Sequence, residues 1–148
     1  MSETPEPAES PGTPEATGPS PTRRAGLEKM TEVYGWEVSD GPGDFFGYTV
    51  DHLFAEIWNR PGLSNRDRRL LLVGLCIGSG QEDVLDIQIP AAMGNGELDD
   101  EQLREIVIFM AHYAGWPRAA RLNNQVEAII GRRNKAAAKV AAAATESD

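Results

Sequence analysis

The sequence has little of what several large classes of protein require. Its 148 residues include one cysteine and two histidines, which excludes an internal disulfide framework and a cysteine-rich zinc site. Lys and Arg number 14 against 23 Asp and Glu, for a net charge of −9, whereas a duplex nucleic-acid binder needs a basic face. The longest apolar run, near residues 70–77, is far shorter than the roughly 20 residues that span a bilayer. We therefore expect neither a nucleic-acid partner nor a membrane partner.

The N-terminus also lacks the features of a secretory signal. It is acidic and rich in proline, with no positively charged start and no apolar stretch. The compartment that we expect is the cytoplasm.

Composition divides the chain into one domain and two tails. Residues 1–22 contain six prolines and four Glu but no Lys or Arg, so they are predicted to be disordered. Residues 132–148 are rich in Ala and Lys without an apolar stripe, which predicts a fraying helical extension. The domain is then 23–131, which is long enough for a hydrophobic core.

This domain is predicted to be all-α, a small bundle of five to six helices. Apolar residues at spacings of three and four predict one helix over about 44–59. Ser64 followed by Asp67, and Asp99 followed by Gln102, are typical helix starts. The run Leu70–Ile77 is apolar on every side and is therefore predicted to be the buried central helix.

Four arginines lie within ten residues around the start of this central helix. A guanidinium is unfavourable near the positive end of a helix dipole, so a carboxylate partner, a subunit contact or an anionic ligand must favour this cluster. The four residues are Arg60, Arg66, Arg68 and Arg69.

Gln88 is a polar residue whose helical neighbours are Val84, Leu85 and Ala92, so its amide faces either the core or a pocket. The lone Cys76 lies within the most apolar helix and is expected to be inert. The two histidines do not form a metal-binding spacing. No metal and no other cofactor is expected.

Three stretches, in this order, resemble the carboxymuconolactone decarboxylase family. The stretch 57–75 resembles the family's WSRPGLS-x-RDR segment, 87–107 resembles LHIRGALNNG-x-T-x-EEIRE, and 113–120 resembles YAG-x-P. In this chain they read IWNRPGLSNRDRRLLLVGL, IQIPAAMGNGELDDEQLREIV and YAGWPRAA. The resemblance implies an all-α fold of the alkylhydroperoxidase D-like type, in which subunits associate as trimers or hexamers.

The family has two chemical branches, and the resemblance separates them. One branch reduces peroxides or disulfides through a CxxC pair with a nearby His and Glu. Here those positions hold Gln81, Val84, Gln88 and Arg69, so peroxidase-type activity is the least favoured function. The other branch decarboxylates a carboxylated muconolactone, and its second segment carries a His and an Arg where this chain has Gln88 and Pro90.

We therefore interpret the chain as a decarboxylase-like protein. It is expected to act on, or bind, a small carboxylated lactone or related anionic metabolite of aromatic catabolism. If it is an enzyme it is a carbon–carbon lyase; the alternative is a non-catalytic oligomeric binding or scaffold subunit of the same fold. The resemblance and the residue chemistry together assign three substrate-binding residues and three catalytic residues: Arg66, Arg68 and Arg69 for the substrate carboxylate, Gln88 for the carbonyl that gathers charge, and His112 or Tyr113 for the proton.

Overall fold

The structure is a computed structural model and describes residues 18–145. Over this range the chain forms six α-helices and one π-helical segment with no strand, which confirms the all-α prediction. The π-helical segment, Thr49–Ile57, continues α2 directly. No helix in this range is long and apolar enough to cross a membrane. The α-helices are α1 (Pro21–Tyr34), α2 (Asp44–Tyr48), α3 (Asn65–Ser79), α4 (Glu82–Gly94), α5 (Asp100–Ala114) and α6 (Trp116–Thr145).

Part of each predicted tail belongs to a helix of the structure. α1 begins at Pro21, and the Ser20 hydroxyl accepts a hydrogen bond from the Arg23 N–H at 3.1 Å. The boundary predicted at residue 22 therefore lies inside the first turn of α1, where proline is well tolerated. Residues 1–17 of the predicted tail lie outside the described residues. α6 continues through the second predicted tail to Thr145, and residues 132–145 are exposed along it.

The helix predicted over about 44–59 changes its hydrogen-bonding pattern part way along. After one α-helical turn it becomes a π-helix, and at its end the Trp58 N–H donates to the carbonyl of Leu53, five residues earlier, at 2.9 Å. This wider winding buries Val50, Phe54 and Trp58 and leaves Leu53 exposed. Apolar spacing alone predicts a helix here but does not distinguish the two kinds of winding.

α1 crosses the π-helical segment unusually closely, and Gly26 makes this possible. A Cβ atom built on Gly26 would lie 2.1 Å from the carbonyl oxygen of Val50, well inside van der Waals contact. Gly26 is therefore required by the close approach of two backbones.

α3 begins where the sequence predicted, but it is less buried than predicted. Ser64 and Asp67 form a reciprocal capping box, and Gly80 ends the helix in the left-handed conformation. The hydrogen bonds from Ser64 lower the pKa of the Asp67 carboxyl. The prediction that the helix is buried on every side was wrong for the single chain, because Leu71 and Leu75 are 66% and 64% exposed. Overall apolarity gives no information about which side of the helix neighbouring elements cover.

Two apolar clusters make up the core. The larger one joins α3, α4, α5 and α6, and the smaller one joins α1 to the π-helical segment through Val33, Phe54 and Trp58. Leu72 of α3 packs against both clusters. The predicted start of α5 is also confirmed, since Asp99 and Gln102 form a capping box. α3 is thus the element that links the two halves of the core.

We expect Gly26→Ala to lower the free energy of unfolding by about 1–3 kcal/mol, because the new methyl group forces α1 away from Val50. Urea denaturation of the full chain measures this change. Gly131→Ala is the matched control: nothing lies within 4 Å of a Cβ there, and Ala in a helix interior stabilises by roughly 0.5–1 kcal/mol relative to Gly. Equal stability of Gly26→Ala and the parent would contradict the close crossing.

Candidate active site

Arg69 is the most completely buried charged residue in the described part of the chain, with 0% of its surface exposed. It projects from the first turns of α3 and binds Glu97 with two donors: Nε lies 2.8 Å from Oε2, and Nη2 lies 3.3 Å from Oε1. Nη1 donates to Oε1 of Gln88, and Nη2 also donates to the carbonyl of Val33. One guanidinium therefore joins α1, α3, α4 and the turn before α5.

The surroundings of this guanidinium are largely aromatic and apolar. Its central carbon lies 5.9 Å from the centre of a Trp58 ring, within the range of a cation–π interaction. Tyr34 is also close; burial raises the pKa of its hydroxyl, and the Arg69 cation partly opposes that rise. The Glu97 carboxylate, 8% exposed, compensates the cation in this environment.

Gln88 lies on α4 and is 4% exposed. Its side-chain oxygen accepts the hydrogen bond from Arg69. The resemblance places a His at position 88 in both family branches and a relay Glu at position 69 in the redox branch. Gln88 and Arg69, the two residues that differ from those patterns, are thus in direct contact. The amide of Gln88 and the permanent cation of Arg69 stand where the redox branch has two titratable side chains.

The other two predicted substrate-binding arginines, Arg66 and Arg68, make different hydrogen bonds. Arg68 holds the loop before α3, because its two terminal nitrogens donate to the carbonyls of Leu63 and Arg60. Arg66 donates from Nε to the backbone carbonyl of Glu97 at 2.9 Å. Its two terminal nitrogens make no hydrogen bond to residues 18–145. Of the three predicted substrate-binding arginines, Arg66 is therefore the one with the most donors available to a ligand.

The two predicted proton donors lie elsewhere. His112 is exposed on α5, and its Nδ1 donates to the carbonyl of Ile108 at 2.9 Å. Tyr113 is 77% exposed, with its ring 4.9 Å from that of Phe109. Among the described residues no hydrogen bond or ring contact joins either one to Gln88. Their predicted role as proton donors stays a prediction.

Cys76 is buried within the larger apolar cluster. Burial raises the pKa of its thiol, and the nearby Asp83 raises it further. A protonated, enclosed thiol is a poor nucleophile. Within residues 18–145, no group of three or more His, Cys, Asp and Glu side chains is arranged to hold a metal ion.

Two surface grooves are lined by arginines other than Arg69. The smaller, about 330 Å³, is lined by Arg66 with apolar Leu70, Leu98 and Ile106. The larger, about 580 Å³, is lined by Arg23 with Asp44 and Asp51. Neither is lined by Arg69 or Gln88. Glu97 links the two arginines, since its backbone carbonyl accepts a hydrogen bond from Arg66 and its side chain accepts one from Arg69.

Glu97 is the residue that sequence reasoning missed. The arginine cluster predicted a carboxylate partner as one of three explanations, but nothing in the pattern marked which carboxylate. Glu97 follows the turn at Gly96 and lies 28 residues from Arg69. The available signal was weak: an acidic residue close to a predicted helix start that forms no part of its capping box.

We expect Arg69→Met to lower the free energy of unfolding by about 3–5 kcal/mol, because it leaves the Glu97 carboxylate buried without its cation. The double variant Arg69→Met/Glu97→Leu should recover most of that loss, since no buried charge remains. Chemical denaturation of both variants provides the measurement. Arg104→Ala, which breaks the exposed ion pair to Glu127, should change stability far less. A stable single variant would contradict the dependence of the fold on this pair.

Comparison with known proteins identifies relatives of this chain. The family model described as "Carboxymuconolactone decarboxylase family" matches residues 43–128. The 4-carboxymuconolactone decarboxylase of Acinetobacter baylyi is 30% identical over 115 residues, which cover 72% of this chain and 85% of that protein. The nitrosuccinic acid decarboxylase of Metarhizium robertsii is 38% identical over 64 residues, which cover 43% of this chain and 44% of that protein. No solved structure matches the chain significantly.

The family match spans more than half of the chain and includes α2 to α5, with Arg66, Arg69, Gln88 and Glu97. The relative from Acinetobacter extends the similarity over most of its own length. This chain belongs to the carboxymuconolactone decarboxylase family.

Proposed function

We propose that the protein is a cytoplasmic carbon–carbon lyase that decarboxylates a small anionic metabolite. The names of the two relatives indicate the substrate class, since one acid is a lactone and the other a nitro compound. In each, loss of CO2 leaves an electron pair that a carbonyl or nitro group takes up. A carboxylated lactone of aromatic catabolism is the first substrate to test, and nitrosuccinate is the second.

The observation that carries this proposal is the buried Gln88 amide in contact with Arg69. In the reaction, the bond between the substrate carbon and its carboxylate breaks and CO2 leaves. The electron pair moves through carbon onto a carbonyl or nitro oxygen, and carbon later takes up one proton. A hydrogen-bond donor fixed beside that oxygen stabilises the charge as it develops. The Gln88 amide can donate but cannot transfer a proton near neutral pH.

Arg66 is the residue that we propose for binding a substrate carboxylate. Its terminal nitrogens are available, and bidentate binding of carboxylates is a common use of the guanidinium group. It also borders the groove with the apolar walls of Leu70, Leu98 and Ile106. Arg68 and Arg69 would then act indirectly, by fixing the loop before α3 and the Gln88 amide.

We expect CO2 release from 4-carboxymuconolactone or nitrosuccinate above the uncatalysed rate. Gln88→Ala should lower kcat by about tenfold or more, which is roughly 1.4 kcal/mol of barrier. Arg66→Ala should mainly raise KM, because it removes binding of a carboxylate present before and after bond cleavage. Arg104→Ala, at an exposed ion pair between α5 and α6, is the matched control with unchanged rates. No release from either acid would contradict the proposal.

A non-catalytic binding subunit is the second candidate. It is favoured by the internal use of Arg68 and Arg69, whose donors bind the protein's own oxygens. Binding of either acid without CO2 release would favour this candidate. Peroxide reduction has the least support, because burial raises the pKa of the lone Cys76 thiol.

We also propose that copies of the chain associate, as a trimer or a hexamer. The support is an apolar surface on α3 and α5, the α3–α5 surface, whose large side chains are between 56% and 77% exposed. An exposed apolar area shared by two helices is typical of an interface between subunits. Its residues are Leu71, Leu75, Ile108, Phe109 and Tyr113.

Light scattering of the full chain at micromolar concentration should therefore give a mass three or six times that of one chain. Leu71→Glu combined with Phe109→Glu should reduce that mass, because it places charge on the α3–α5 surface. Val140→Glu is the control, since Val140 is equally exposed but lies on the α6 extension. A monomeric mass for the parent protein would contradict association.

A further inference from the structure

The orientation of the Gln88 amide is determined by its neighbour. An arginine side chain has five hydrogen-bond donors and no acceptor. Only the oxygen of the Gln88 amide can therefore face Arg69, and that oxygen accepts the bond from Nη1. The amide nitrogen, Nε2, must point the opposite way.

Gln88 Nε2 has no hydrogen-bond partner within the described structure. It makes no hydrogen bond to residues 18–145, although Gln88 is 96% buried. Nor is it one of the side-chain atoms of residues 18–145 that are closed to solvent and lack a hydrogen bond. Nε2 thus keeps a small accessible surface. Buried polar groups are normally paired with the protein or with water, and a donor that has no protein partner but reaches solvent is free to donate to a ligand atom instead.

Several hydrogen bonds hold the Arg69 guanidinium in place. Glu97 binds the guanidinium at two atoms, at 2.8 and 3.3 Å, and the Val33 carbonyl binds it at the C-terminal end of α1. Glu97 also balances the charge of Arg69. A ligand at this position would therefore meet the oriented N–H group of Gln88. It would not meet an uncompensated charge, because Glu97 already neutralises Arg69.

We propose that Arg69, held by Glu97, is a positioning residue that fixes Gln88 Nε2 as a hydrogen-bond donor to the oxygen that gathers charge during decarboxylation. This inference rests on the proposed function and narrows its substrate class. The preferred substrates are acids in which loss of CO2 delivers the electron pair to an oxygen, as in an enolate or a nitronate. The carbon–carboxylate bond breaks, CO2 leaves, the pair rests on that oxygen, and a proton adds to carbon afterwards. No oxidant or reductant takes part.

The direct test compares two forms of one probe. 3-Nitropropanoate in its nitronate form has lost one proton from the carbon next to the nitro group and carries the resulting charge on the nitro oxygens, whereas its nitro form lacks that charge. Calorimetry on the full chain should give a dissociation constant at least about tenfold lower for the nitronate. The side-chain N–H resonances of Gln88 should shift with the nitronate and should not shift with succinate, which lacks the nitro group.

Three variants separate positioning from simple stability. Gln88→Glu keeps an acceptor for Arg69 but removes the donor, so the preference for the nitronate should disappear. Arg69→Lys should reduce the preference by about threefold or more, because one ammonium cannot hold both Gln88 and Glu97 in the same way. Glu97→Gln should retain most of it, since the amide oxygen still accepts from Arg69. Circular dichroism verifies that each variant is folded; if Arg69→Lys is not, the Gln88 resonances of the parent protein decide the matter.

The outcomes distinguish this inference from the proposed function. Equal affinity of the parent protein for the two probe forms, or full preference in a folded Arg69→Lys variant, would overturn the positioning role. Normal CO2 release by Gln88→Glu would also overturn it and leave the decarboxylase proposal intact. Nitronate preference that depends on Arg69, without CO2 release from either acid, would support positioning and reject the decarboxylase.

Discussion

The buried ion pair between Arg69 and Glu97 constrains most of this structure. A guanidinium with no exposed surface is stable only if its donors find partners within the protein. Those partners come from the C-terminal end of α1, from α4 and from the turn before α5. Satisfying one side chain therefore fixes the relative positions of three segments around α3. The two apolar clusters supply the burial, and the ion pair lies where they meet.

The same pair links the fold to the candidate chemistry. In the redox branch of this family, the resemblance places a Glu and a His at the positions of Arg69 and Gln88. This chain has a cation and an amide there, in direct contact. The cluster thus gains a fixed charge and an oriented donor in place of two groups that exchange protons. An arrangement of this kind favours stabilisation of charge over proton transfer, as the proposed decarboxylation would require.

Local signals predicted the helices well because their causes are local. The capping boxes at Ser64 and Asp99 depend on residues three apart, and the left-handed turn at Gly80 depends on one residue. The burial of α3 was predicted less well. Leu71 and Leu75 satisfy the same apolar pattern as Val73 and Ile77 but are exposed in the single chain, since burial depends on neighbouring elements and not on the helix itself.

The sequence by itself determined the helical class, most helix ends and the family, because these depend on short-range spacing and on motifs that can be read in order. It also marked Gln88 as a polar residue among apolar neighbours and Arg69 as one of four arginines near the start of α3. Only the tertiary structure decided their partners. Gln88, Glu97 and Val33 lie 19, 28 and 36 residues from Arg69, and no local pattern encodes contacts over such distances. The physical reason is that a buried charge pairs with whichever polar groups lie next to it, and these groups become neighbours only when the helices pack together.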